Sequence, residues 1–158
     1  MIEYDSRRLT PDQLCRSRFP VITQLHDYMT SNDFTIDSDF SDFFPYLTIC
    51  LPTKTYELAP PILLMGTRSD QKKLFEAHYG DAAFESGRTP DENLERLAAA
   101  GYKDAVENGT FCQECEAIVT FPEGPKYIPF LRYMVYYQDP GGRRLIAYAA
   151  SLLNRTWQ

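Results

Sequence analysis

The chain is poor in the residues that carry most catalytic chemistry. Among 158 residues there are two histidines, His26 and His78, and four cysteines. No Gly-x-Ser-x-Gly elbow, phosphate-binding loop or His-Glu-x-x-His pair occurs, so the common hydrolase, nucleotide and zinc-protease signatures are missing. Basic residues are outnumbered, 16 Lys and Arg against 22 Asp and Glu, for a formal charge of −6. They gather no further than the pairs Arg7-Arg8, Lys72-Lys73 and Arg143-Arg144. A nucleic-acid backbone or an anionic bilayer calls for a basic face, so neither is expected as a partner. No apolar run approaches the roughly 18–20 residues of a membrane span. The start Met1-Ile2-Glu3-Tyr4-Asp5 has no basic opening followed by an apolar stretch, so no secretory signal is read there. A cytoplasmic location is the simplest expectation, with Cys15, Cys50, Cys112 and Cys115 as reduced thiols.

What the chain does have is apolar and aromatic bulk. Hydrophobic residues make up 44%, with 10 Phe and 11 Tyr, enough for one substantial core in one domain spanning residues 1–158. So many tyrosines point to half-buried surfaces, because each hydroxyl must reach water or a partner.

Thr10-Pro11-Asp12-Gln13 reads as a helix start with a capping box. Pro20 then either kinks that helix or opens another. Val21, Ile22, Leu25, Tyr28 and Met29 recur at helical spacing, so residues 10–30 form an N-terminal helical extension. Residues 31–41 read as a polar connection and 42–45 as a helical turn. Tyr46–Leu51 and Ile62–Gly66 read as two strands close enough to pair antiparallel. Helices are expected at Ser69–Tyr79, ended by Gly80, and at Glu92–Asn108, ended by Gly109, with Thr67 as the cap of the first. Strands Thr110–Phe121, Tyr127–Gln138 and Arg144–Leu153 follow, separated by short turns. The order is an α+β domain with one five-stranded antiparallel sheet, helices on one face and an N-terminal helix.

With Ile36-Asp37, Phe43-Phe44-Pro45-Tyr46-Leu47, Leu63-Leu64-Met65-Gly66-Thr67, the helix before Gly109, Arg132-Tyr133-Met134-Val135 and Asp139-Pro140-Gly141-Gly142, the chain resembles the PAS fold. Within it, it is similar to small bacterial PAS-like proteins of a signalling type, over about residues 20 to 154. The resemblance implies a cavity between sheet and helices, and dimer or effector contacts through the outer sheet face and an N-terminal helix. It implies a non-catalytic sensory or interaction module, with a small ligand or a protein as partner and a homodimer as its working form. Leu64, Phe75, His78, Leu97, Tyr133 and Val135 are the pocket candidates. Val21, Ile22, Leu25, Tyr28, Met29, Phe130, Met134 and Tyr136 are the interface candidates.

Two motifs invite chemistry. Cys112-Gln113-Glu114-Cys115 has metal and redox spacing, but residues three apart on a strand point to opposite faces, and no second ligand pair accompanies it. His78 could ligate haem, as in some PAS domains, although one histidine on an amphipathic helix is more often packed. The Asn-Cys-Arg-Phe-Leu run of flavin photoreceptors is absent. No catalytic residue, metal or cofactor is therefore assigned; a small cysteine enzyme or a haem or flavin sensor is the alternative. The strand Tyr127–Gln138 is apolar on both faces, whereas a half-wet antiparallel strand alternates. Both sheet faces are thus expected to be covered, the second by Val21–Met29 from the same chain or from a partner.

Overall fold

A computed structural model describes residues 4–10, 13, 20–84 and 87–153. Six strands form one sheet: β1 (Tyr4–Arg8), β2 (Thr48–Cys50), β3 (Ile62–Met65), β4 (Thr110–Phe121), β5 (Gly124–Gln138) and β6 (Arg144–Leu152). Their order is β1-β4-β5-β6-β2-β3, with every neighbouring pair antiparallel. Among the described residues three helices flank it: α1 (Pro20–Ser31), α2 (Asp70–Tyr79) and α3 (Glu92–Asn108). The α+β class and the single antiparallel sheet stand as read from the sequence. The strand count does not, because β1 was not foreseen. Its sequence, Tyr-Asp-Ser-Arg-Arg, has no apolar alternation; it is a strand because β4 offers it an edge, in register from Tyr4↔Ala117 to Arg8↔Gln113.

Strand β5 has two covered faces, and every residue from Phe130 to Val135 is buried. On one side Tyr133, Val135 and Tyr137 meet Ile22, Leu25 and Met29 of α1, with Phe40 and Leu47 from the 31–47 connection. On the other, Phe130 packs with Leu74 and Phe75 of α2, and Met134 with Tyr102 and Ala105 of α3. The second cover therefore comes from the same chain. The connection is less of a loop than its polarity suggests. It holds the 3-10 turns Ser38–Asp42 and Phe44–Tyr46, and Phe40 is fully buried among the rings of Tyr28, Phe43, Phe44 and Tyr137.

Local signals explain the helix ends. Pro20 opens α1 and supplies no N–H that the first turn would need. Upstream, Thr10 Oγ1 accepts from Gln13 N at 3.2 Å and Gln13 Oε1 accepts from Thr10 N at 2.9 Å, the reciprocal pair of a capping box; the remainder of that helix start lies outside the described residues. Ser69, not Thr67, caps α2, accepting from Lys72 N at 3.1 Å. Asp91 caps α3 through Leu94 N. Gly80 and Gly109 end these helices at positive φ, 63° and 87°.

Gly66 is glycine for a different reason. A Cβ there would lie 2.1 Å from Phe44 O and 2.4 Å from Pro45 C and O. Its N–H donates to Leu47 O at 2.7 Å and Arg68 N donates to Pro45 O at 2.6 Å. The strand-to-helix joint is thus bonded to the 3-10 turn at a separation that only a bare Cα permits. Among the described residues no helix is long and apolar enough to cross a membrane.

Candidate functional site

The six pocket candidates do not come together. Phe75 is buried beneath α2. His78 follows on the same helix, its ring stacked on Phe121 at 4.1 Å between centroids and its Nδ1 against the Glu123 carboxylate. Nε2 of His78 has no hydrogen-bond partner among the described residues. Leu97 is 39% exposed on the outside of α3 and Leu64 is 46% exposed on β3. Tyr133 and Val135 lie on the opposite sheet face, under α1. The space left between the sheet and α2, lined by Leu74, Phe75, Leu94, Val119, Ile128 and Phe130, is about 50 Å³. A water molecule occupies about 30 Å³ of its liquid, so this space admits a water but no ring-sized ligand.

The interface candidates divide similarly. Ile22, Leu25 and Met29 are fully buried against the chain's own sheet. Val21 and Tyr28 are half-buried, and the Tyr28 hydroxyl donates to Asp37 at 2.6 Å. Phe130 and Met134 lie beneath α2 and α3 rather than on an outer face, and Tyr136 is half-buried beside the Arg144 guanidinium. Because both sets of β5 residues are apolar, alternation separates them without saying which helix each meets.

The Cys-x-x-Cys pair is split by the sheet. Cys112 opposes Tyr133 on the α1 side, while Cys115 packs with the α2 cluster. Burial first, and then the neighbouring Cys115, push the Cys112 thiol up to about 12, against a weaker opposing hydrogen bond from Gln113. Burial first, and then Glu95, do the same to Cys50. A nucleophilic cysteine requires thiolate near neutral pH, and these two sites suppress it. Among the described residues no cluster of three or more His, Cys, Asp or Glu is placed to hold a metal.

Two polar arrangements were not anticipated. On the α3 side, Arg132 is 2% exposed. Its Nε donates to Gln113 Oε1 at 2.7 Å and its Nη1 to Ala98 O at 3.2 Å, and its guanidinium lies near the faces of Tyr102 and Phe111. Gly101 admits it: a Cβ there would sit 2.4 Å from Arg132 Nη2. Nearby, buried Glu95 accepts from Thr89 N at 2.9 Å and from the Thr89 hydroxyl. Burial raises its carboxyl above the usual range, and the Thr89 bonds only partly oppose that.

No protein-family model matches the chain, and no curated protein matches it. Among solved structures it is similar to one described as an RNA-binding light-oxygen-voltage receptor, at 13% identity and a TM-score of 0.39. The match covers 98% of this chain but 39% of that one. So distant a likeness assigns neither family nor activity.

The second arrangement lies where β4 begins and β1 ends. A cavity of about 150 Å³ is lined there by Leu9, His26, Phe111, Cys112 and Tyr133, with Arg8, Asn108 and Thr110 around it. His26 Nδ1 and the Tyr133 hydroxyl are 2.9 Å apart, rings edge to face. Leu9 is held over it by donating its N–H to Cys112 O at 2.9 Å. A wider groove of about 380 Å³ runs from Ile36, Phe40 and Phe44 to Ile49, Leu63 and Leu64. The β2–β3 register shifts between Ile49 and Cys50, leaving Leu63 as the extra residue of a bulge, and both Leu63 and Leu64 line the groove.

Proposed function

We propose that this chain is a non-catalytic sensory or interaction module of PAS-like form, working by association, with a second copy of itself as the first partner. The arrangement supports the resemblance read from the sequence: the β2–β3 hairpin, then helices, then the β4–β5–β6 meander, closed by β6 pairing with β2. The observation that carries the reading is where apolar surface remains. The α1 stripe is used within the chain, whereas Leu51, Leu63 and Leu64 around the β2–β3 hairpin are 38%, 48% and 46% exposed. Ile62–Met65 carries no charge in a chain of −6. Two like-charged copies therefore meet at lowest electrostatic cost at that hairpin. A ligand between the sheet and α2 would have to open a region that now leaves about 50 Å³.

Light scattering at micromolar concentration tests this. The expected mass is twice the 18.2 kDa of the chain, falling to one chain in Leu64→Glu with an unchanged circular dichroism spectrum. A strictly monomeric wild type overturns the reading. A visible chromophore in the purified protein would replace it with a haem or flavin carrier.

A further inference from the structure

We propose that the cavity bounded by Leu9, His26, Phe111, Cys112 and Tyr133 is a binding site for a small neutral aromatic compound carrying one hydroxyl, of the size of phenol. Its size comes first. About 150 Å³ is the volume at which an apolar protein cavity accommodates a benzene ring. The walls come second. Leu9 covers the side on which the Cys112 thiol, held neutral by burial, lies, and Phe111, the neighbouring residue on the other face of β4, borders the cavity at the strand edge. The polar end comes third. Tyr133 is 1% exposed, and its hydroxyl can donate one hydrogen bond and accept two. His26 accounts for one of these at 2.9 Å, so the pair can bind one further hydroxyl.

Charge sets the ligand class. Arg8 is the charged residue lining the cavity, and its guanidinium is occupied by Asp104 at 2.9 Å while lying 5.0 Å over the Phe111 ring. A carboxylate in the slot would lose its water and share the exposed Arg8 guanidinium with Asp104, a solvent-screened pairing that returns little of that cost. A neutral hydroxyl gives up less water and recovers it at Tyr133. The site lies under α1, away from the β2–β3 hairpin, so it stands or falls independently of self-association.

Phenol, benzoate and toluene titrated into the isotopically labelled full chain test the assignment. Saturable amide shifts are expected with phenol at Leu9, His26, Cys112 and Tyr133, with weaker binding of toluene and no saturation by benzoate. Tyr133→Phe should reduce phenol affinity to about that of toluene, a loss of about fivefold for one hydrogen bond. Cys112→Leu, which fills the slot, should abolish both. The wild-type titration stands alone where a variant fails to fold. Phenol shifts absent, unsaturable or centred elsewhere overturn the proposal, and so does benzoate binding as tightly as phenol.

Discussion

Replacing Gly66 with alanine probes the joint between β3 and α2 directly. The added methyl would lie 2.1 Å from Phe44 O and 2.4 Å from Pro45 C and O, where carbon–oxygen contacts normally stop at about 3.3 Å. Relief therefore requires a backbone displacement of about 1 Å, and both sides of the clash are main chain. The same displacement stretches two short bonds, Gly66 N to Leu47 O and Arg68 N to Pro45 O. Overpacking costs about 1–3 kcal/mol, and losing two hydrogen bonds adds about 1–3 kcal/mol. Against this, alanine reduces unfolded-state entropy by about 0.4–1 kcal/mol. The net expectation is a loss of about 1–6 kcal/mol, centred near 3, a large part of the 5–15 kcal/mol typical of a domain.

Urea unfolding followed by circular dichroism measures this, with Gly101→Ala as comparator. At Gly101 the nearest atoms are Arg132 Nη2 at 2.4 Å, Phe111 Cε1 at 2.8 Å and Met134 Cε at 2.9 Å. Two of the three are ends of flexible side chains, and alanine regains about 1 kcal/mol of helix propensity. The cost there is expected to be about 0–2 kcal/mol, clearly below that at Gly66. A Gly66→Ala chain within 1 kcal/mol of wild type would refute the close-approach argument, as would the reverse ranking of the two.

The raised Cys112 and Cys50 thiols predict slow alkylation at neutral pH. With both pushed to about 12, against about 8.5 for a free thiol, reaction should be roughly a thousandfold slower than for a free thiol; peptide-resolved mass spectrometry reads both sites, and a rate at or above the free-thiol value would revive the cysteine-enzyme alternative. Glu95 predicts a pH dependence of stability. Burial raises its folded-state carboxyl above the ordinary glutamate value, so its contribution is full below that ordinary value and is lost as pH climbs through the folded one. The stability of Glu95→Gln relative to wild type should therefore improve as pH rises from 4 toward neutrality, and a flat difference across that window would contradict the assigned burial effect.

Helix ends were legible because their causes are local. Gly80 and Gly109 stop α2 and α3 at positive φ and Pro20 marks the start of α1 by backbone restriction, whereas the caps Ser69 and Asp91 depend on which of several neighbouring polar side chains reaches the first turn. β1 was not legible, since the edge that β4 presents is a property of the assembled sheet. Two of the pocket candidates lie outside for a related reason. Leu64 and Leu97 are apolar residues on amphipathic or strand patterns, yet both point outward, and periodicity does not distinguish an edge from a centre. Arg132 was the clue within β5, a charged residue in an otherwise apolar set, which burial permits only with partners in place.

Gly101 and Arg132 account for each other. A glycine inside a helix gives up about 1 kcal/mol relative to alanine, and here the vacated space holds Nη2 of the guanidinium. That group then joins three elements at once: Gln113 on β4, Arg132 itself on β5 and the Ala98 carbonyl on α3. Phe111 lies beneath both Arg132 and Arg8, so the same network that seats α3 on the sheet fixes one wall of the cavity beside His26. The opposite wall, His26 and Tyr133, is set by α1 packing on the other face. The cavity therefore lies where the two covered faces of the sheet meet at its edge, between groups positioned by α1 and by α3.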